Sequence, residues 1–229
     1  MAALVGGGAR PQPGEISLAH RGVLFLDELP EFSRQALEAL REPMETGMVT
    51  ISRAMHRVEY PARFQLVAAM NPCRCGWLGH PRRACTCTPE QLARYRARLS
   101  GPLLDRIDLH IDLPAADAQW MDAPAGEPSS AVGARVAAAL ARQAERQGVC
   151  NAALPAHAVD QACALTPEAR QLWREAMLAM AWSARAAHRV LRVARTVADL
   201  AGHGQVQAHD VAEAIQYRRP FDANGPAAG

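Results

Sequence analysis

Two adjacent carboxylates follow an apolar run near the start of the chain. Residues 23–26, Val-Leu-Phe-Leu, lead directly into Asp27 and Glu28. Such a run predicts a strand buried on both faces, as in parallel sheets, and these strands present catalytic groups at their carboxyl ends. An aspartate there can hold Mg²⁺ on nucleotide phosphates, and a neighbouring glutamate can orient or deprotonate an attacking water. The alternative is a solvated acidic turn after a core strand.

The chain has no lysine to complete a nucleotide site. An apolar strand ending in Asp-Glu is the Walker B arrangement of ATPases, whose partner is a Gly-rich loop that binds phosphates through backbone N–H groups and a lysine. All 25 basic residues among the 229 are arginine, and glycines 6–8 are followed by no Gly-Lys-[Ser/Thr]. The sequence therefore predicts the magnesium side of a nucleotide pocket without the triphosphate-binding loop.

Four cysteines form two C-x-C pairs, Cys73 with Cys75 and Cys85 with Cys87. Paired thiolates that close a short Gly- and Pro-containing loop suggest a tetrahedral Cys₄ zinc site. Its role would be structural, because four protein ligands leave no open coordination position. The C-x-C spacing is less common than C-x₂-C, and His80 could replace one ligand. Four reduced thiols in a flexible loop are the alternative.

Composition excludes several classes of protein. Apolar residues make up 49% and charged residues 21%, as in ordinary globular proteins. No apolar run approaches a membrane span, and the first thirteen residues do not resemble a signal peptide. We therefore expect a cytoplasmic protein with no membrane partner and with cysteines that are reduced or metal-bound. The net charge of +2 is too small to indicate that the overall electrostatic field of the protein attracts nucleic acid.

Periodicity predicts an α/β fold. Core strands are expected at 23–26, 65–69 and 109–113, with a β-hairpin at 49–60. Ser33 is expected to cap a helix that ends at Gly47. A further helix is expected at 89–99, and after residue 130 the pattern is helical, with helices at 131–147, 167–180, 183–201 and 208–217.

The composition along the chain predicts its division into domains. The expected α/β part is 1–114, and residues 115–130, rich in Ala, Pro and Asp, read as a linker. A helical domain is expected at 131–221, followed by a disordered tail at 222–229.

Five sequence segments carry a resemblance to a known family. In chain order these are residues 13–20 (PGEISLAH), 24–32 (LFLDELPEF), 71–73 (NPC), 100–108 (SGPLLDRID) and 193–200 (VARTVADL). Together they resemble the ComM/YifB family, the magnesium-chelatase-like AAA+ ATPases of bacteria, over residues 4–219. The resemblance implies a partial AAA+ (P-loop NTPase-type) core with an inserted β-hairpin and a Cys-rich loop, followed by an α-helical lid. It corresponds to the C-terminal portion of the family without Walker A, as expected of a gene fragment, a frameshift or a mis-called start.

The resemblance also implies roles for three polar residues. Asn71 occupies the sensor 1 position, where an amide can bond the γ-phosphate or the attacking water; a simple Asn-Pro turn is the alternative. Arg106 corresponds to an arginine finger that reaches a neighbouring subunit's nucleotide, or else is a surface arginine paired with Asp105 or Asp108. Arg185 matches the sensor 2 arginine of the lid, although a solvated basic helix face would look the same. The implied cofactors are ATP and Mg²⁺, and the implied partners are other subunits of a homo-oligomeric ring, by resemblance a hexamer.

The hairpin tip is the nucleic-acid candidate. Arg53, His56 and Arg57 lie at or beside the expected turn. In related motors a hairpin before sensor 1 projects into the central pore, where basic side chains contact a phosphate backbone. A solvated hairpin is the alternative.

These observations give three hypotheses of function. The first is part of an ATP-hydrolysing ring motor that acts on DNA. The motor would carry out helicase-like branch migration in natural transformation and recombination. This chain alone would be inactive, because it lacks the P-loop lysine. The second is a chelatase-like ATPase subunit that works on a metal-inserting partner. The third is a non-enzymatic, truncated remnant.

Overall fold

A computed structural model describes residues 2–7, 12–53, 56–115 and 123–218 of this chain. The described residues form a mixed α/β structure that divides into two compact units, one ending at Ile107 and the other beginning at Asp108. Among these residues, no helix combines the length and apolar character needed to cross a membrane.

The first unit consists of short elements. Its strands are β1 (Gly6–Gly7), β2 (Gln12–Pro13), β3 (Val23–Leu26), β4 (Met48–Arg53), β5 (His56–Pro61) and β6 (Gln65–Ala68). Its helices are α1 (Ala2–Val5), α2 (Glu15–Leu18), α3 (Arg34–Ala39), α4 (Arg41–Thr46), α5 (Pro89–Arg96) and α6 (Gly101–Leu104), with a 3₁₀ turn at Leu29–Glu31. Its core contains Ile16, Leu37, Leu40 and Leu103.

Strands β3 and β6 pair in parallel. The register runs from Val23 opposite Gln65 to Leu26 opposite Ala68, so both strands end at the same sheet edge. The expectation that β3 is buried on both faces is wrong, because Val23 and Phe25 are 61% and 59% exposed whereas Leu26 is buried. An apolar run is buried throughout only when a layer packs on each face, and within the described residues the core covers only one face of this two-stranded sheet.

The predicted hairpin is confirmed. Strands β4 and β5 are antiparallel, with Met48 opposite Pro61 and Arg53 opposite His56. Residues 54 and 55 of the predicted tip lie outside the described residues. Val49 and Ile51 are buried, which anchors one face of the hairpin on the first unit.

The predicted helix between Ser33 and Gly47 forms but is interrupted. The Ser33 hydroxyl accepts a hydrogen bond from the Ala36 N–H, and Gly47 ends α4 with φ +69°, so both predicted boundaries are confirmed. The interruption falls at Leu40 because Pro43 has no N–H for a carbonyl four residues earlier and its ring crowds that carbonyl.

The predicted strand at 109–113 is wrong. These residues have no regular secondary structure, and Leu113 is 87% exposed. The His110 N–H donates to the Tyr217 carbonyl, 2.8 Å away, instead of to a strand. Alternating apolar and polar residues satisfy one requirement of a half-buried strand, but a strand also needs a partner, and no described strand pairs with this segment.

The second unit is helical. It contains α7 (Ser129–Gln147), α8 (Ala156–Ala162), α9 (Pro167–Ala179), α10 (Ala184–Ala201) and α11 (Ala208–Gln216), with a 3₁₀ turn at Asn151–Ala153. Four of these helices were predicted to within a few residues, whereas α8 is too short to show helical periodicity. The unit has its own core, which includes Val190, Ala194, Val206 and Val211.

A buried ion-pair network joins three helical segments of the second unit. Asp199 accepts hydrogen bonds from Arg146 (2.6 Å), Asn151 (2.8 Å) and Arg195 (3.1 Å). Arg195 is 1% exposed and also donates to two carbonyls of the loop after α10. Because the charges are paired and further hydrogen-bonded, the network can be buried within the unit. Residues 195 and 199 of the 193–200 segment therefore help to hold this unit together.

Candidate functional site

The two carboxylates lie at the carboxyl edge of the parallel sheet. Asp27 follows the last residue of β3, and both Asp27 and Glu28 are exposed. The Glu28 N–H donates to Asp27 Oδ1, 2.8 Å away, which orients the aspartate relative to the turn. Exposed carboxylate oxygens at such an edge are suitable ligands for a hard cation such as Mg²⁺.

Glu28 has an unusual backbone conformation. Its φ of +49° and ψ of +47° are left-handed, which costs a non-glycine residue about 1–2 kcal/mol. Hydrogen bonds on both sides hold the turn, from Leu29 N–H to the Ala69 carbonyl (3.0 Å) and from Glu31 N–H to the Glu28 carbonyl (2.7 Å). Conformations of this kind cluster at functional sites, where strain helps to position a side chain.

Asn71 lies at the same edge, three residues beyond the end of β6. The pairing of the two strands continues past Ala68, because the Ala69 N–H donates to the Leu26 carbonyl at 2.9 Å. The Asn71 carbonyl accepts a hydrogen bond from the buried Tyr95 hydroxyl of α5, 3.1 Å away. The structure therefore brings Asn71, Asp27 and Glu28 to one edge, with the backbone of Asn71 anchored and its side chain exposed.

Arg106 is folded against its own unit. Its side chain is 10% exposed, and the guanidinium forms an ion pair with the Glu45 carboxylate and donates to the Pro102 carbonyl at 2.5 Å. Asp108 is bonded instead to Arg189, at 2.6 Å. A role for Arg106 in a neighbouring subunit would require its pair with Glu45 to open.

Arg185 lies in the second unit, in the first turn of α10. The N-cap Ser183 accepts a hydrogen bond from the Ala186 N–H, and the Arg185 side chain is exposed. Two further arginines on that helix are tied to their own unit, since Arg189 pairs with Asp108 and Arg192 donates to the Leu154 carbonyl at 2.7 Å.

The four cysteines converge. Their Sγ atoms all lie within 4.8 Å of one another, with distances of 3.3 Å for Cys73–Cys75, 3.5 Å for Cys75–Cys85 and 3.7 Å for Cys73–Cys85. With Zn–S bonds of about 2.3 Å, the sulfurs of a tetrahedral site lie about 3.8 Å apart. Cys73 is fully buried and the other three are half-buried, so the thiols fit a structural tetrahedral metal site.

Backbone N–H groups favour charge on one of these thiols. Hydrogen bonds from the Trp77 and Thr86 N–H groups lower the pKa of Cys75 to about 5. The Cys87 N–H acts in the same direction on Cys85, but burial and the neighbouring thiols raise the pKa of Cys85 to about 12. A cluster in which one sulfur is readily a thiolate suits a cation, because the thiolate is the metal-binding form.

The Cys-rich loop also carries an aromatic and basic cluster that sequence reasoning missed. The Arg83 guanidinium lies 4.0 Å from the centroid of the Trp77 ring, and His80 packs edge-on against the same ring at 5.0 Å. No Asp or Glu occurs between Glu59 and Glu90. An aromatic flanked by arginines in an acid-free segment was the signal available in the sequence.

The hairpin residues are described only in part. Arg53 and His56 face each other across the end of the hairpin in the backbone register, and their side chains lie outside the described residues. Arg57 is exposed, and its guanidinium lies 3.1 Å from the Glu59 carboxylate.

Two family models cover most of the chain. Residues 1–121 match the model of magnesium chelatase, subunit ChlI, and residues 126–218 match the model of its C-terminal part.

Curated relatives match along almost the whole chain. YifB of Escherichia coli is 48% identical over 221 residues, and competence protein ComM of Haemophilus influenzae is 47% identical over 221 residues. Each match covers 95% of this chain but only 43% of the relative, so the chain spans less than half the length of these proteins. A shorter match, 39% identical over 66 residues, links 29% of the chain to 8% of maternal DNA replication licensing factor mcm3 of Xenopus laevis.

Proposed function

This chain belongs to the ComM/YifB family of magnesium-chelatase-like proteins, and from that premise we propose that it is part of an ATP-hydrolysing AAA+ ring motor that acts on DNA. The observation that carries the proposal is the edge of the β3–β6 sheet, where Asp27, Glu28 and Asn71 follow two paired parallel strands. The left-handed conformation of Glu28 adds support, because strained backbone there suits a positioned catalytic side chain.

Each polar residue of the proposed site has a defined task. Asp27 would hold the Mg²⁺ of the nucleotide, and Glu28 would orient and deprotonate the attacking water. The Asn71 amide donates a hydrogen bond to the γ-phosphate or positions that water. By the family resemblance, Arg185 is the proposed sensor 2 arginine, and Arg106 would stabilise the charge of the transferred phosphoryl group in a neighbouring subunit. Mg²⁺, when bound, neutralises charge on the phosphate oxygens.

The proposed site needs a phosphate-binding lysine that these 229 residues do not supply. A Walker A lysine contacts the β- and γ-phosphates, and none of the 229 residues is a lysine. This chain alone should therefore neither bind ATP tightly nor turn it over. Tight ATP binding with steady hydrolysis by the purified 229-residue protein would contradict the proposal.

DNA is proposed as the substrate of the motor. The names of two relatives concern competence and DNA replication, which supports DNA as the substrate. The proposed activity, branch migration in natural transformation and recombination, follows from the family resemblance. Hairpin residues Arg53, His56 and Arg57 are the proposed phosphate contacts. The acid-free Cys-rich loop, with Arg83 against Trp77, supports a second contact that combines charge with an aromatic surface.

A structural Zn²⁺ ion is proposed for Cys73, Cys75, Cys85 and Cys87. Their sulfur spacing supports four-coordinate binding, which would cross-link the two ends of the loop without an open position for chemistry. The ion would thereby hold the loop that begins two residues after Asn71.

A chelatase-like ATPase is the second candidate. The description of the matching family model, magnesium chelatase subunit ChlI, favours it. Such a protein would act on a metal-inserting partner protein, so branched DNA would not change its rate of ATP hydrolysis.

A chimera tests the proposal. This chain replaces the matched 221 residues of YifB of Escherichia coli, which leaves the remainder of that relative in place. We expect ATP hydrolysis that rises with branched DNA, because the proposed pocket and the proposed DNA contacts are then present in one polypeptide. Glu28→Gln should lower the hydrolysis rate by at least about 100-fold while ATP binding persists, since it removes the base but not the phosphate contacts.

The matched control is Glu145→Gln, which makes the same chemical change at an exposed position of α7. It should leave the rate unchanged. Equal rates for the Glu28→Gln and Glu145→Gln chimeras would refute the assignment of Glu28. Hydrolysis that does not respond to DNA but rises with a metal-inserting partner would favour the chelatase-like candidate.

A further inference from the structure

A second cluster of metal-ligating side chains lies in the helical unit, far in sequence from the cysteines. His203 follows Gly202, which ends α10, and His209 and Asp210 lie in the first turn of α11. One ligand atom from each of the three side chains lies within 4.8 Å of the other two. Their H-x₅-H-D spacing matches no common metal motif, so the sequence alone assigns them no role.

The distances fit a single ion. The Asp210 Oδ1 atom lies 3.2 Å from His203 Nδ1 and 3.3 Å from His209 Nε2. With metal–nitrogen and metal–oxygen bonds of about 2.0–2.2 Å, neighbouring ligands of a tetrahedral ion lie about 3.3–3.6 Å apart. The two imidazoles therefore direct nitrogen atoms at the same carboxylate oxygen, at nearly the spacing that a shared ion requires.

Other contacts hold the ligands in position. The Asp210 carboxylate is fully buried, and its Oδ2 atom accepts a hydrogen bond from the Gln207 N–H at 2.8 Å. His203 Nδ1 lies between the two carboxylate oxygens, 3.1 Å from Oδ2 and 3.2 Å from Oδ1, and Oδ1 is the oxygen that also faces His209 Nε2. The His203 carbonyl accepts a hydrogen bond from the buried Arg195 at 2.5 Å, which fixes the backbone that carries His203. Hydrogen bonds of this kind orient the ligands in known metal sites.

The side chains differ in exposure in a way that gives an ion access. Asp210 is fully buried and His203 is 25% exposed, whereas His209 is 64% exposed. The rings of the two histidines meet edge to face, with centroids 5.0 Å apart. An ion can therefore enter from the side of His209, and three protein ligands leave a fourth position for water.

We propose that His203, His209 and Asp210 form a binding site for one divalent transition-metal ion of the Zn²⁺ class. Two imidazoles with one carboxylate suit Zn²⁺, Co²⁺ or Ni²⁺ rather than Mg²⁺ or Ca²⁺, which prefer oxygen ligands. The ion would connect the end of α10 to the start of α11 and so cross-link the loop at 203–207. This proposal does not depend on the proposed motor activity or on metal binding by the cysteines.

Metal counting on the full chain tests the proposal. The reduced protein is stripped with a chelator, reloaded with Zn²⁺, desalted and analysed for zinc per chain. If both sites bind, the wild-type protein should carry two ions, and His209→Ala and Cys73→Ser should each carry one. The matched control is His157→Ala, an exposed histidine on α8, which should carry the wild-type number.

Co²⁺ spectra assign each ion to its site. Thiolate ligands give an intense charge-transfer band in the near ultraviolet, whereas imidazole and carboxylate ligands give only weak visible bands. His209→Ala should lose the weak bands and keep the charge-transfer band, and its affinity for the second ion should fall by about 100-fold or more, because it removes a ligand rather than an outer contact. Because His209 is mostly exposed, the far-ultraviolet circular dichroism of the His209→Ala protein should match that of the wild type.

The possible results separate the two metal sites. One ion per wild-type chain that is lost in His209→Ala and kept in Cys73→Ser would support the histidine site and reject zinc at the cysteines. An ion count and affinity unchanged by His209→Ala would overturn the proposal, and the trio would then be only a hydrogen-bonded helix cap.

Discussion

At the scale of single residues, Arg106 is the side chain whose proposed role depends on a second subunit. In the single chain it pairs with Glu45, so an arginine finger would have to exchange this carboxylate for the phosphates of a neighbour's nucleotide. Such a guanidinium contributes about 10³- to 10⁵-fold to phosphoryl transfer in related enzymes.

Subunit mixing tests the role of Arg106. In the chimeric protein, Arg106→Ala and Glu28→Gln should each lose nearly all ATP hydrolysis. A mixture of the two should recover part of it, because some interfaces then join an intact Glu28 to an intact Arg106 from the next subunit. Rates of the mixture that equal the mean of the two variants would contradict action in trans. The control is a mixture of Arg106→Ala with Glu145→Gln, whose Glu28 and Arg106 are intact; it should also hydrolyse ATP.

Asp199 is the buried carboxylate at the centre of the ion-pair network in the helical unit. Asp199→Asn should lower the free energy of unfolding of that unit by about 3–5 kcal/mol, because the change leaves the buried Arg195 with an uncompensated charge. Urea unfolding followed by circular dichroism measures the difference. Glu145→Gln, on the exposed face of α7, should stay within about 0.5 kcal/mol of the wild type.

The pH dependence of unfolding reports on the same carboxylate. Burial alone would raise the pKa of Asp199, but hydrogen bonds from Arg146 and Asn151 and the charge of Arg195 lower it below the ordinary value of 3.8. Because the unfolded state then binds the proton more tightly, the stabilisation is complete above pH 3.8 and is lost as the pH falls through the lower, folded-state pKa. The stability difference between wild type and Asp199→Asn should therefore shrink below pH 3.8. A difference that is constant with pH would show that the charge of Asp199 does not account for it.

At the scale of elements, two glycines give a matched pair with opposite expectations. Gly47 has φ +69°, and an added Cβ would lie 2.6 Å from Arg63 Cγ. Gly133 lies within α7, and a Cβ there would meet no atom within 4 Å. Replacement by alanine is therefore expected to strain the end of α4 at Gly47 and to favour helix α7 at Gly133.

Gly47→Ala should destabilise the first unit by about 1–2 kcal/mol, because alanine is disfavoured in the left-handed region. Gly133→Ala should stabilise the helical unit by about 0.5–1 kcal/mol, because glycine in a helix interior costs that much relative to alanine. Denaturant unfolding of both variants measures whether each substitution lowers or raises the free energy of unfolding. Equal effects would mean that neither local conformation governs stability.

At the scale of the whole molecule, each unit has its own core. Residues up to Ile107 pack around one aliphatic cluster, and those from Asp108 onward pack around others. Separate cores allow separate unfolding, since the cooperativity of a domain follows its own buried contacts.

Hydrogen exchange should therefore show two independent unfolding units. Asp199→Asn should speed exchange in α10 and α11 and leave β3 and β6 unchanged, whereas Gly47→Ala should do the reverse. The two variants control for each other. Exchange that accelerates across all described elements in either variant would show that the units unfold together.

The sequence by itself determined the features that depend on neighbouring residues. The boundaries at Ser33 and Gly47, the hairpin and four of the helices of the second unit follow from local capping, turn and periodicity rules. The strand before Asp27 and the Cys₄ set were also evident, because a short apolar run and paired cysteines are local patterns.

Only the tertiary structure decided which of these elements acquired partners. Residues 109–113 have the alternation of a strand, but pairing needs a partner strand, and the apolar run of β3 is covered on one face because burial needs a packed layer. Likewise, no local pattern predicts three further features: the Arg106–Glu45 pair, the burial of Arg195 and the convergence of His203 with Asp210. Local rules act over a few residues, whereas burial and ligand geometry depend on which distant segments fold against each other.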